Sequence, residues 1–335
     1  MATEKSTYPI SLLDFHCFKP PEELKKTKEE MIMDIKNAKK STWPEAQEES
    51  DMIIMDCVSN LLAKTGISAQ EVDIVIVSCT CFIPVPSMAA RIVNRFRMRE
   101  DVLTYNLGGM GCSASLVSID LAKRLLESMP NKLALIISHE NITNCYYIGH
   151  ERKFMLVNCL FRLGGAAALM TNRPADRAVA KYDLKHSVRV HTGRDDECFN
   201  CIGLAEDGAG HLGMFLERSV VKVRVLLNPK YVPSFTTAFE HFLIHTGGRG
   251  VLDEMEKTLH LEPKLMEPSR AVLWRFGNTS AASTWYILSH LEHNGTMKKG
   301  DRIFQLGFGG GFKACSASWT ARKAIKQSHS CWLDD

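Results

Sequence analysis

The sequence has no apolar stretch at its start. Residues 1–9 are polar, so no secretory leader is predicted there. It also lacks any apolar run long enough to cross a membrane. The longest candidates, 72–78 and 132–138, read as buried strands instead. Excess charge of one sign is missing too: 41 Lys and Arg face 38 Asp and Glu, a formal net charge of +3. That excludes a charge-driven case for nucleic acid, although a local basic patch can still meet the phosphates of a ligand. Short repeats and low-complexity tracts are absent. The eleven cysteines offer no zinc framework. Cys79 and Cys81 are spaced as strand neighbours, and Cys198 and Cys201 have no second pair in a suitable context. Without a leader the thiols are expected to stay reduced, and a small buried thiol is the plain reading for most of them.

What the sequence does have is a core. Of 335 residues, 45% are hydrophobic and 24% charged, enough for one large domain or two fused halves. Residues 20–50 are rich in lysine and glutamate and read as a solvated helix and loop. Ile54, Val58, Leu61 and Leu62 then follow helical spacing, with Gly66 as the stop. Strands are predicted over 72–77, 101–105 and 132–138, with helices from Ser87 and after Cys112. Strand–helix alternation of this kind predicts an α/β fold with a largely parallel sheet, finishing in antiparallel strands over 166–170 and 178–190. A second cycle begins near Leu212. It has a strand over 219–227, a helix running into a strand over 235–244, helices over 250–259 and 280–291, and strands over 301–306 and 313–319.

Four segments carry chemistry. Cys112 follows the turn Gly108-Gly109-Met110-Gly111 and precedes a helix. That position turns a thiol toward free backbone N–H groups and the positive end of the helix, which lowers its pKa and favours a thiolate nucleophile. The competing reading is a tight turn around a small buried thiol. His245 lies in Glu240–Arg249, ahead of two glycines that can hold its imidazole in a cleft, although a lone histidine is more often structural or surface-exposed. Asn278 lies in Arg275–Ser280, where Asn278, Thr279 or Ser280 can also serve as a helix N-cap. The run Gly307–Phe312 follows a strand but leads into another strand, so it fails as a dinucleotide fingerprint. A Cys–His–Asn set also fits a papain-like protease, but the secreted, disulfide-bonded context of those enzymes is missing.

Together these segments resemble one family. Tyr105–Ala114 is similar to the active-site motif of the plant 3-ketoacyl-CoA synthases, the condensing enzymes of very-long-chain fatty acid elongation. Asn158–Ala167, Glu240–Arg249, Arg275–Ser280 and Phe308–Lys313 resemble further family motifs, so the likeness runs from about residue 12 to about 322. The resemblance implies a thiolase-like fold, two related α/β halves in layered α-β-α-β-α arrangement with the site between them. Residues 1–200 would form the half with the nucleophilic cysteine and 201–335 the half with His and Asn. It implies that Cys112 carries the acyl group and that His245 and Asn278 polarise the malonyl thioester. His191 and His241 match further family histidines, with a structural or supporting role the plainer one. Acyl-CoA and malonyl-CoA are the implied substrates, with no metal or redox cofactor. A homodimer or elongase-complex subunits are the implied protein partners, at the cytosolic face of the endoplasmic reticulum membrane.

Departures from the pattern temper this. Family members usually begin with two membrane-spanning helices, which this sequence lacks, so a soluble or peripherally bound chain is expected. Trp274 stands where the family usually has histidine, and Leu243 replaces a common cysteine. The stretch near 220–229 is shorter than the pattern by several tens of residues. Two alternatives therefore stand beside the elongase reading: a type III polyketide synthase, and a catalytically inactive paralogue that binds an elongase partner.

Overall fold

The segments that alternate along the sequence alternate in the fold. The computed structural model describes residues 9–36, 41–217 and 234–333. In chain order the elements are β1 (Ser11–Cys17), α1 (Lys28–Lys36), α2 (Trp43–Thr65), β2 (Ile74–Cys79), α3 (Met88–Phe96), β3 (Leu103–Gly108), α4 (Ala114–Ser128), β4 (Leu133–Glu140), α5 (Arg152–Leu160) and β5 (Gly164–Thr171). They continue with β6 (Tyr182–His191), α6 (Asp196–Phe199), β7 (Ile202–Glu206), β8 (Leu212–Leu216), β9 (His241–Ile244), α7 (Arg249–Thr258), α8 (Pro263–Phe276), α9 (Ser283–His293), β10 (Arg302–Gly309) and β11 (Lys313–Ala321).

Local chemistry sets the ends of these elements. Thr42 and Glu45 cap the start of α2 reciprocally, with Pro44 in its first turn, and Gly66 ends it at φ 70°. The helix therefore begins eight residues before the expected 51, and Ala46, Glu49 and Ser50 are buried rather than solvated. Ser87 caps α3 as its sequence predicts. The helix α8 escaped the sequence reading because Pro268 sits inside it. The strand expected over 219–227, and the shortening near 220–229, lie outside the described residues.

Among the described residues, nine strands form one sheet in the order β3-β2-β4-β5-β1-β6-β11-β10-β9, and β7 pairs with β8. The sheet is mixed, not largely parallel. β2 runs parallel to β3 and β4, and β9 to β10, but every other neighbouring pair is antiparallel. Hairpin-like returns such as β10 to β11 leave no room for a parallel crossover. β1 and β6 share only two register pairs, so the sheet bends into two packed parts there. β6 lies before residue 200 and pairs along its length with β11.

α4 packs against strands of both parts, as does α9, and together they form the central layer. Burial follows: α4 has nine buried positions and α9 is buried from Ser283 to Glu292. α2 covers β1, β4 and β5 from outside, while α8 covers β9. On the outer face of β6, Val188 and Val190 are 54% and 42% exposed. Among the described residues, no helix covers them as α2 covers the first part.

Buried polar groups tie the first part together. His139 has Nδ1 3.3 Å from the Gly164 carbonyl and Nε2 3.1 Å from Ser50 Oγ. A carbonyl only accepts, so Nδ1 carries the proton and Nε2 accepts from Ser50. Burial lowers the His139 pKa to about 4. Below pH 6.5 the unfolded chain protonates this histidine, while the folded chain resists until about pH 4. Stability therefore falls as pH falls through that window, by roughly 3 kcal/mol from this residue. Urea titrations at pH 7 and pH 4 measure it; equal stability at both would reject the account.

Candidate active site

Cys112 comes from the junction of β3 and α4. Strand β3 ends at Gly108, the chain turns at Gly109, and Gly111–Ser113 form a short 3-10 turn leading into α4. Gly111 has φ 65°, and a Cβ there would stand 2.7 Å from the backbone nitrogen of Gly310. Only glycine permits that approach of the Gly309–Gly311 loop. Gly111 N–H donates to Thr80 Oγ1 at 3.1 Å, which holds the turn to the end of β2.

Cys112 thus sits at the start of a helix, as its sequence predicts, but its electrostatics are the reverse of the expectation. The thiol pKa is pushed up to about 12, first by desolvation, with the Glu140 carboxylate adding to the rise. Hydrogen bonds from Ser280, Asn278 and the Cys112 backbone pull it down and do not compensate. The helix end alone is too weak to offset removal of a thiolate from water.

Asn278 and His245 come from the second part. Asn278 is fixed by its backbone to the first part: its N–H donates to the Leu160 carbonyl, and its own carbonyl accepts from Arg162 N–H, both at 2.9 Å. Its Oδ1 accepts from Ser280 N–H at 2.8 Å. That bond is an Asx turn and not the expected N-cap: the turn beginning at Ser280 has Thr279 at its cap position, with no side-chain capping bond. It also orients the amide, leaving Nδ2 as the donor toward Cys112. His245 follows β9, and its N–H donates to the Leu306 carbonyl. Ser283 Oγ donates to the Ser280 carbonyl at 2.6 Å and lies 3.0 Å from His245 Nδ1. A hydroxyl has one proton, so Nδ1–H must donate to Ser283 Oγ. Burial lowers the His245 pKa to about 3. The ring is neutral, and its Nε2 bears a lone pair, not a proton.

Cys112, His245 and Asn278 line one cleft of about 420 Å³, part of it open to solvent. Its other walls are apolar: Phe161, Ile202, Leu216, Val251, Phe308 and Phe312. Ile202 and Leu216 come from the β7–β8 hairpin, and Met214 packs with Cys81, Cys145, Val157 and Phe161 beside Cys112. Such a cleft suits a hydrocarbon chain.

His191 and His241 are not brought to the cleft. His191 ends β6 on the exposed side and accepts from Gly193 N–H at 3.1 Å. His241 begins β9, at the opposite end from His245, and its Nε2 lies 2.8 Å from Asp301 Oδ2. Strand direction separates them from the chemistry. Conversely, Glu140, Ser280 and Ser283 belong to the site and were not singled out as site residues. The one signal for Glu140 is a carboxylate at the polar end, Ser138-His139-Glu140, of an otherwise apolar strand. Among the described residues, no group of three or more His, Cys, Asp and Glu converges to hold a metal ion.

The family model described as FAE1/Type III polyketide synthase-like protein matches residues 30–228, and that of the 3-oxoacyl-[acyl-carrier-protein] synthase III C terminal matches residues 236–321. Both are thiolase-like, as is the fold. The chain is 40% identical to 3-ketoacyl-CoA synthase 11 of Arabidopsis thaliana, over 98% of this chain and 78% of that protein. It is 43% identical to 3-ketoacyl-CoA synthase 2 of the same plant, over 87% of this chain and 63% of the relative. With 3-ketoacyl-CoA synthase 5 the identity is also 43%, over 88% and 67%. The first of these alignments spans 397 positions, so at least 62 of them have no residue of this 335-residue chain opposite.

Proposed function

This chain belongs to the 3-ketoacyl-CoA synthase family of condensing acyltransferases, and we propose that its cleft joins a long-chain acyl-CoA to malonyl-CoA, giving a 3-oxoacyl-CoA, carbon dioxide and CoA. The observation that carries this reading is the convergence of Cys112, Asn278 and His245 on one apolar cleft. In the first half-reaction the Cys112 thiolate attacks the acyl thioester and expels CoA. In the second, malonyl-CoA loses carbon dioxide, and the electron pair of the broken bond becomes an enolate. That carbanion attacks the Cys112 thioester and releases the lengthened product. Decarboxylation supplies the electron pair, so the reaction as written calls for no metal or redox group.

The enolate oxygen needs donors. Asn278 Nδ2 is one already in place. His245 differs from the expectation that its N–H is available, because its proton faces Ser283. It becomes a donor only when Nε2 gains a proton, either by protonation or by a tautomer change in which Ser283 releases the Ser280 carbonyl. Asn278 is therefore the principal donor of the resting site.

Incubation of the purified chain with acyl-CoAs of graded length and malonyl-CoA, followed by mass analysis of products and of the Cys112 peptide, tests the reading. A single two-carbon extension with acyl label on Cys112 supports it. Several extensions followed by cyclisation would instead mark a polyketide synthase. Neither that alternative nor an inactive paralogue is favoured by the relatives, which are 3-ketoacyl-CoA synthases. We further propose action at the cytosolic face of the endoplasmic reticulum, alongside a second copy or other elongase subunits. Among the described residues, no helix is long and apolar enough to cross a membrane. Fractionation against a marker of that membrane checks the location.

A further inference from the structure

We propose that Met214 ends the acyl pocket of this cleft, so that the size of its side chain sets the longest chain Cys112 can carry; the inference rests on Cys112 being the acylated residue. Side chains alternate along β8, with Met214 and Leu216 on one face and Gly213 and Phe215 on the other. Leu216 lines the cleft together with Cys112 and Phe161. Met214 stands two residues away on the same face, about 7 Å along the strand, and is 6% exposed. There it packs with Phe161, Cys81, Cys145 and Val157, in the cluster against which Cys112 and Leu216 also pack. The next side chain on that face, Leu212, is 53% exposed. Met214 is therefore the last buried group of that face between the cleft and the surface.

The strand behind Met214 has no space to retreat. A Cβ at Gly213 would stand 2.7 Å from the Tyr147 ring and 2.8 Å from the Phe154 ring, so β8 is seated directly on them. Phe215, on the same side, meets Phe154 edge-on with ring centres 6.2 Å apart. The tip of the hairpin is fixed as well. Asp207 accepts from Tyr147 OH at 2.6 Å and from the backbone N–H groups of Ala209 and His211 at 2.8 Å, while Glu151 accepts from Gly208 N–H at 3.1 Å. What can yield is the side chain. Methionine is unbranched, with soft torsions and a polarisable sulfur, so it fills irregular space and repacks around a guest. Among the described residues of its cluster it is the one long unbranched side chain. The opposite wall differs: Val251, Phe308 and Phe312 are anchored in the core of the second part, among Phe242, Ile244 and Leu252.

Met214→Ala removes the thioether arm at the end of the pocket, and Met214→Phe fills the space with a ring. Alkyl methanethiosulfonates from methyl to dodecyl probe the pocket without CoA chemistry. The Cys112 thiolate attacks the alkylthio sulfur, methanesulfinate leaves with the electron pair of the broken S–S bond, and a new S–S bond holds the alkyl chain. Rates are read by mass on the Cys112 peptide. The length at which the rate falls should move by about one two-carbon step or more, to longer chains in Met214→Ala and to shorter ones in Met214→Phe. At the lengths nearest the limit each variant should differ from the parent by about tenfold or more. With acyl-CoAs, kcat/KM should move in the same directions. An unchanged length profile in either folded variant, or a shift in the opposite direction, overturns the proposal.

A measurement on the parent needs no variant to fold. A probe of the limiting length with a terminal diazirine, attached to Cys112 and irradiated, should insert into the peptide that carries Met214. Insertion confined to the peptides of Val251 or Phe312 overturns the proposal. If the parent takes the alkyl probes but transfers no acyl group, the proposed function fails, while the length limit and the insertion site still decide the pocket.

Discussion

Cys112→Ala is expected to lose acyl-enzyme formation entirely while still decarboxylating malonyl-CoA. The proposed nucleophile has a particular setting: the Gly111–Ser113 turn places its sulfur beside Asn278 and Ser280 in the apolar cleft. Ser280 is the nearest other hydroxyl, but its proton is engaged by Glu140 and its backbone by Asn278. Condensation should fall by roughly 10⁴-fold or more, as when a covalent catalyst loses its nucleophile. Release of carbon dioxide needs the donors to the thioester oxygen and not the sulfur. Labelled acyl-CoA measures the first half-reaction and labelled malonyl-CoA the second. Acyl label that stays on the protein after this substitution would place the nucleophile elsewhere.

Asn278→Ala should show the opposite pattern. Acylation of Cys112 persists at least in part, because the sulfur keeps Ser280 beside it. Decarboxylation and condensation should drop by about 10² to 10³, as when one donor to a developing oxyanion is removed. His245→Ala is expected to cost less in decarboxylation, since the proton on that ring already faces Ser283. The comparison is the informative part. A His245→Ala loss larger than the Asn278→Ala loss would mean that the histidine changes tautomer before the chemistry. An Asn278→Ala variant that decarboxylates like the parent would remove the asparagine from the mechanism.

Much of the site was legible in the residues because its parts lie at element boundaries with strong local signals. Glycines before Cys112, glycines after His245 and an Asn278 that forms an Asx turn each mark a turn, and turns are where backbone chemistry narrows the choice of residue. The thiol's pKa was misread because helix position is visible in a sequence while burial by distant segments is not. Glu140 escaped for the same reason: its value comes from Ser280, 140 positions away. The mixed sheet was hidden because strand direction depends on which strands become neighbours, and β1 pairs with the distant β5 and β6, Cys17 with Ala166 and Leu12 with Tyr182. Pro268 concealed α8, where packing outweighs local propensity.

The backbone bridge at Asn278 has a consequence for how the molecule can move. The Leu160 carbonyl, Asn278 and the Arg162 amide form a two-bond hinge pin between the parts that carry the nucleophile and the enolate donor. Any opening wide enough to admit a bulky substrate from the side breaks that pin and dismantles the donor along with the doorway. Substrates should therefore thread in past a closed seam, with the amide protons of Asn278 and Arg162 among the slowest to exchange with deuterated water during turnover.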